Sequence, residues 1–230
     1  MISIIIPVYN QADKITACLD SIKNQTYENF EIIVINDGST DNVLEVLPAY
    51  ENFFSYKFRT FTQENKGANA ARNYGSSVAR GEFLLFCDAD LTMEPDMLIT
   101  MLNTLKQNPQ SSYAYAAHKF GWKTFHLWAF DADRLRRMPY IHTTSLIRKE
   151  HFPGFDENIK RFQDWDLWLT MLEQGHTGIW IEKILFEYAP GGTMSTWLPS
   201  FAFKILPFLP QVKKYNNAMA VIKNKHKLNV

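Results

Sequence analysis

At 230 residues the chain has the size of one large domain, and 46% hydrophobic against 21% charged residues exclude wholesale disorder. Lysine plus arginine total 24 and aspartate plus glutamate total 24, so the zero net charge gives no support for a broad nucleic-acid surface, and no nucleic-acid partner is expected. Cys18 and Cys87 form no CxxC pair and no disulfide framework, so both read as small buried residues in a reducing, cytoplasmic setting.

Residues 1–10 are apolar but lack a basic start, so they read as a strand rather than a signal peptide. No run of about 18 apolar residues occurs, and no transmembrane helix is expected. The continuous apolar run 2–7 predicts a strand buried on both faces. Asn10 can cap the next helix, whose stripe is Ile15, Cys18, Leu19 and Ile22. Residues 30–35 form a second buried strand. It ends in the turn Asn36-Asp37-Gly38-Ser39, and Ser39 or Thr40 can cap a helix to about Tyr50. Residues 57–62 alternate like a third strand, and 67–79 are small-residue-rich and helical. A fourth strand, 82–87, runs straight into Asp88-Ala89-Asp90, and a helix over 94–106 has Pro95 near its first turn. This order predicts an α/β fold with a mostly parallel sheet flanked by helices.

The second half is less regular. Strands are expected over 112–120, 142–148 and 178–186. A helix over 164–174 offers Leu167, Leu169, Met171 and Leu172 for burial and stops at Gly175. The division is one domain over 1–190, with halves 1–110 and 111–190, and a C-terminal extension over 191–230.

Ligands of open α/β sheets bind at the carboxyl ends of the strands. Tyr9-Asn10, Asn36 to Ser39 and Asp88-Ala89-Asp90 all sit there. A turn after the fourth strand lets one aspartate reach a metal while the other holds a ligand hydroxyl. A solvated turn is the plainer alternative. Hard oxygen donors suit Mg²⁺ or Mn²⁺, which bind substrate phosphates and neutralise a departing diphosphate. Residues 65–73 open a helix whose N-terminus favours anions, and Lys66 and Arg72 add charge. The segment is neither GxGxxG nor a Walker loop.

Residues 3–10, 36–41, 65–73, 88–90, 154–157 and 163–169 together resemble glycosyltransferase family two, over about residues 1–190. The resemblance implies a GT-A, Rossmann-like fold. It also implies inverting transfer from a nucleoside diphosphate sugar, most often UDP-linked, with Mn²⁺ or Mg²⁺. The acceptor would be a saccharide or a lipid-linked one in surface glycan synthesis. Pro7, Tyr9 and Asn10 would line the nucleotide site, Asp37 would bond the base, and Lys66 and Arg72 would stand nearby. Asp88 would contact the ribose or donor sugar beside the metal, and Asp90 would bind the metal. Asp164 would be the general base, with Asp166 its nearest rival and a helix cap the plainer alternative.

Three departures stand out. Gln163 replaces the frequent glutamate before the base, Leu91 replaces an acidic residue after Asp90, and 188–195 lack the usual histidine. Residues 191–195 are instead expected to form a loop over the diphosphate. A nucleotidyltransferase would need a basic glycine-rich loop after the first strand, which 7–10 do not supply. A non-catalytic nucleotide-sugar binder is supported only by Gln163 and the missing histidine.

His118, His126 and His142 lack zinc-site spacing and read as structural or surface residues. Trp122, Trp128 and Trp165 are candidate platforms for sugar rings. Residues 131–137 hold a second DxD, read as a loop or helix face near the acceptor. Residues 196–230 join apolar side chains to Lys204, Lys213, Lys214, Lys223, Lys225 and Lys227. This fits either peripheral contact with the inner face of the cell membrane or a helix packed on the domain.

Overall fold

All seven residues of β1 (Ile2–Val8) and of β2 (Phe30–Asn36) are buried, because helices cover both faces of the sheet they share. In β1, Ile4 and Ile6 enter one apolar cluster and Ile5 the other, as the two-residue period of a strand requires. The computed structural model describes residues 1–188 and 209–228.

The remaining strands are β3 (Phe58–Thr62), β4 (Phe83–Phe86), β5 (Leu91–Met93), β6 (Tyr113–Phe120), β7 (Lys123–Phe125), β8 (Leu146–Arg148) and β9 (Gly178–Tyr188). The helices are α1 (Ala12–Lys23), α2 (Val43–Phe54), α3 (Ala68–Val78), α4 (Met97–Gln107), α5 (Ala132–Arg137), α6 (Gln163–Glu173) and α7 (Pro210–Lys225). The sheet order is β3-β2-β1-β4-β8-β6-β9-β5, with β7 paired to β6. Strands β3, β2, β1 and β4 are parallel, as are β6 and β9, whereas β8 and β5 run antiparallel to their neighbours. The expected α/β architecture is therefore present.

Helix α3 is rich in small residues because it lies close on β1. A Cβ at Gly75 would collide with Cγ2 of Ile5. Truncating a buried isoleucine such as Ile5 to alanine costs about 2–5 kcal/mol.

Several local expectations change. Asn10 does not cap α1. Its Oδ1 accepts the N–H groups of Thr40 and Asp41, at 2.8 and 3.3 Å. Asp41 serves instead of Asn10, Ser39 or Thr40: its Oδ2 accepts from Ala12 N–H at 2.9 Å and its Oδ1 from Val43 N–H at 3.3 Å. Because α1 and α2 start side by side, one carboxylate meets both positive helix ends. Strand β8 begins at Leu146 rather than 142, since Ser145 Oγ and Thr144 N–H turn back onto His142. Pro95 lies outside α4, which starts at Met97. Trp165 is core, not a platform: it is fully buried, with Nε1 donating to Leu135 O at 2.6 Å. The second DxD starts α5, where Asp131 accepts from Arg134 N–H at 2.8 Å.

Helix α7 packs onto α6 with Val212 and Ile222 buried. Lys225 Nζ lies 2.8 Å from Asp156 Oδ2 and 2.9 Å from Asp166 Oδ2. His226 is buried, with Nε2 2.9 Å from Asp166 Oδ1 and Nδ1 2.9 Å from Glu173 Oε1. No helix among the described residues is long and apolar enough to cross a membrane. The loop expected at 191–195 and residues 196–208 of the C-terminal segment lie outside the described residues.

Burial pulls the His226 pKa down, but Asp166 and Glu173 outweigh it and raise the pKa above 6.5. A raised folded value adds stability in full below the unfolded value and loses it as pH climbs through the folded one. His226→Gln should therefore cost most stability near pH 6. The gap to the parent should close above the raised value. Paired thermal melts from pH 5.5 to 9 check this, and a gap that does not vary with pH would contradict it.

Candidate active site

A cavity of about 990 Å³ opens over the carboxyl ends of β1, β2 and β4, and the β6–β7 hairpin forms its opposite side. The nucleotide-side expectations divide here. Pro7 and Tyr9 line the cavity at the end of β1, and Tyr9 is 46% exposed. Asn10 is not on the wall; it fixes the 39–41 loop instead.

Asp37 follows β2 directly and is buried. Its Oδ1 accepts from Gln63 Nε2 at 2.7 Å and Lys66 N–H at 2.9 Å, and its Oδ2 accepts from Gly67 N–H at 2.8 Å. The carboxylate thus ties β2 to the loop that opens α3. Gly38 is required at this turn: φ is +74°, and a Cβ would stand 2.9 Å from Asn65 N. The Lys66 side chain is exposed and off the cavity wall, so only its backbone joins the site.

Arg72 reaches the cavity from α3. Its Nη2 lies 2.6 Å from Asp88 Oδ1, and its Nη1 donates to Asn69 Oδ1 at 3.3 Å. Burial opposes ionisation of Asp88, but the Arg72 guanidinium beside it holds its pKa below the usual value. Asp90 behaves oppositely. Burial and the Asp88 charge raise its pKa, with Lys14 only partly offsetting them.

Asp164 stands in the first turn of α6, on the same cavity wall. Phe162 adopts a left-handed conformation, φ +62°, which swings the chain into the helix. The Asp164 Oδ1 accepts from Trp165 N–H at 2.8 Å. Burial raises its pKa, although His142, that N–H and Arg72 oppose the shift. Asp166 is buried under Lys225 and His226 and faces away from the cavity wall. Of the two rivals, Asp164 alone lines the cavity.

Further wall residues include His142, expected to be structural or on the surface, and Tyr188, to which the sequence assigned no role. His142 and Tyr188 come together behind Asp88, with Tyr188 Oη 3.0 Å from His142 Nε2. His118 also lines the wall, stacked between Phe125 and Phe186 at centroid distances of 5.0 and 5.2 Å. Burial pushes it down to about 3, so its ring is neutral at pH 7. Trp122 sits at the cavity rim, 90% exposed, with Lys123 Nζ 5.2 Å from its ring centroid. Trp128 packs on Tyr140 and is not on the wall. The free thiols Cys18 and Cys87 are buried, with their sulfurs 3.5 Å apart.

The residues fit a hydrated divalent cation. Among the described residues no group of three or more His, Cys, Asp or Glu could hold a metal. Asp88 and Asp90 supply two hard oxygen donors, as Mg²⁺ and Mn²⁺ need when they keep waters and take phosphate oxygens. A cation there would also relieve the repulsion that raises Asp90.

A profile described as glycosyl transferase family 2 matches residues 3–164. Glycosyltransferase GlyG of Streptococcus pneumoniae is 38% identical over 108 residues, 46% of this chain and 36% of GlyG. Chondroitin synthase of Pasteurella multocida is 31% identical over 191 residues, 76% of this chain and 19% of the synthase. The chain therefore spans about a third of GlyG and a fifth of the synthase. Among solved structures, S. aureus TarS 1–349 in complex with UDP-GlcNAc has a TM-score of 0.75 at 20% identity, covering all of this chain and 67% of that one. The mannosyltransferase PcManGT from Pyrobaculum calidifontis, in complex with GDP-Man and Mn²⁺, has a TM-score of 0.68 at 19% identity, covering 85% and 58%. These likenesses establish a GT-A fold.

Proposed function

The chain belongs to glycosyl transferase family 2, and from that membership we propose that it moves a sugar from a nucleoside diphosphate sugar to an acceptor hydroxyl with inversion, using Asp164 as general base. The observation that carries this reading is the single cavity wall shared by Asp164 and the Asp88–Asp90 pair. A base and a leaving-group site must face one reacting centre, and this cavity can hold both substrates.

The donor nucleotide lies at the β1–β2 end. Pro7 and Tyr9 bound it. A carboxylate offers about four lone-pair directions. Three on Asp37 are filled, which leaves the last for an N–H of the base. The TarS complex holds UDP-GlcNAc, which favours a uridine donor here, whereas the PcManGT complex makes guanosine the competing choice. Asp90, with Asp88 beside it, would hold Mn²⁺ or Mg²⁺, which would supply neutralisation of the departing diphosphate.

Asp164 then takes the proton of the acceptor hydroxyl as its oxygen attacks the anomeric carbon. The carbon–oxygen bond to the diphosphate breaks as the new glycosidic bond forms on the opposite face. The acceptor enters past the β6–β7 hairpin, where Trp122 stands at the rim. It is a saccharide or lipid-linked saccharide of a surface glycan, in keeping with the chondroitin synthase relative.

Release of nucleoside diphosphate from a panel of UDP- and GDP-sugars with Mn²⁺ tests the proposal. Turnover of at least one donor is expected. Stable binding without turnover, in the presence of saccharide acceptors, would instead favour a non-catalytic nucleotide-sugar binder.

A further inference from the structure

We propose that His118 hydrogen-bonds a hydroxyl of the transferred sugar and so helps to set which donor the protein accepts. The inference rests on the reading of the cavity as a nucleotide-sugar site.

Three adjacent strand ends build this part of the wall. Leu91, directly after Asp90, faces Tyr188 of β9, and Tyr188 faces Phe120 of β6. Two residues along, Met93 faces Phe186, and Phe186 faces His118. Neighbouring strands lie about 4.8 Å apart, so β6 runs about 10 Å across the sheet from the strand that Asp90 leads into. A sugar whose diphosphate is held at Asp88 and Asp90 would face this wall. Of the two β6 residues that line the cavity, His118 and Phe120, only His118 carries polar side-chain atoms.

The ring is fixed in place before any ligand arrives. Strands β7 and β9 flank it, and Phe125 and Phe186 stack on it at 12° and 5° to its plane. Its Nδ1 is buried and has no hydrogen-bond partner. Among the described residues none is bonded to its Nε2 either. A polar ring sealed between two phenyl rings opposes folding, whereas a phenylalanine in the same slot would stack without that cost. The imidazole is therefore kept for a partner in the cavity. Burial also leaves the ring neutral, so it is no cation for a diphosphate. A neutral imidazole offers one N–H and one lone pair, which suits a hydroxyl that can both accept and donate. A site built to hydrogen-bond a substrate hydroxyl rejects analogues that lack it or point it elsewhere.

The test compares sugars on one nucleotide. Nucleoside diphosphate release is followed with Mn²⁺ for UDP-glucose, UDP-galactose and UDP-GlcNAc, and for GDP-mannose and GDP-glucose. Affinity for bare UDP and GDP is measured beside it. His118→Phe keeps the stack and removes both ring nitrogens. It should lower kcat/KM for the preferred donor about three- to tenfold, the worth of one neutral hydrogen bond. Its preference over the next sugar on the same nucleotide should shrink by a similar factor. Affinity for the bare nucleotide should stay within about twofold. The variant should melt no lower than the parent, and if phenylalanine crowds the slot, His118→Leu gives the same kinetic readout. His118→Gln, whose amide nitrogen can stand near the position of Nε2, should lose less than either. Unchanged selectivity in both apolar variants, or equal losses for every sugar and for the bare nucleotide, would overturn the inference. So would a parent that turns over all sugars of one nucleotide alike, or a loss confined to acceptor KM. A parent that turns over no donor would overturn the proposed function itself.

Discussion

Asp164→Asn should lower sugar transfer by about 10²–10⁴-fold, the range a positioned general base contributes, while donor affinity stays within about twofold. The asparagine has nearly the same shape, and its carbonyl oxygen can still accept from Trp165 N–H, so the start of α6 is preserved. What it loses is the capacity to take a proton. In the parent protein, burial lifts the Asp164 carboxyl above the ordinary aspartate value. The acidic limb of kcat/KM should then lie above pH 3.8, with activity falling as pH drops through the raised value. Asp166→Asn should act differently. It unsettles the contacts with Lys225 and His226, so it should lower the melting temperature more than its effect on chemistry would suggest. Full transfer by Asp164→Asn would remove that residue from the base role.

Asp90→Ala should reduce turnover by roughly 10²–10³-fold, the loss seen when a preorganised electrostatic partner of developing charge is removed. It should also abolish the response to added Mn²⁺ or Mg²⁺, and EDTA should do the same to the parent. The metal-free protein should behave in the opposite sense. Burial and Asp88 both penalise an ionised Asp90, so the folded state carries this charge at a cost. Asp90→Ala should therefore melt no lower than the parent without metal, and the parent alone should gain stability on adding Mn²⁺ with nucleotide. Undiminished turnover in EDTA would contradict the metal reading.

The fold was legible because its first half repeats one pattern. Apolar runs at 2–7, 30–35 and 82–87 became β1, β2 and β4, and the helical stripe Ile15, Cys18, Leu19, Ile22 is wholly buried in α1. The strand-end position of Asp37, Asp88 and Asp90 followed from the same pattern. What remained hidden depends on pairing between distant segments. Strands β5, β7 and β8 have three residues each, too few for a period to show. Without β8 beside β4, nothing in the sequence relates His142 to Asp88. Without β5 on β9, nothing relates Tyr188 to either. Asp41 was missed for a similar reason, because its capping of α1 crosses from one loop to another. Trp165 shows the limit of composition: an indole can face a sugar or a core, and the carbonyl of Leu135 decided for the core.

The stereochemistry of the first-formed product tests the central claim most directly. With an α-linked nucleotide sugar and a saccharide acceptor, proton NMR of the new anomeric centre should show a β linkage before any equilibration. A first-formed α linkage would contradict direct displacement assisted by Asp164.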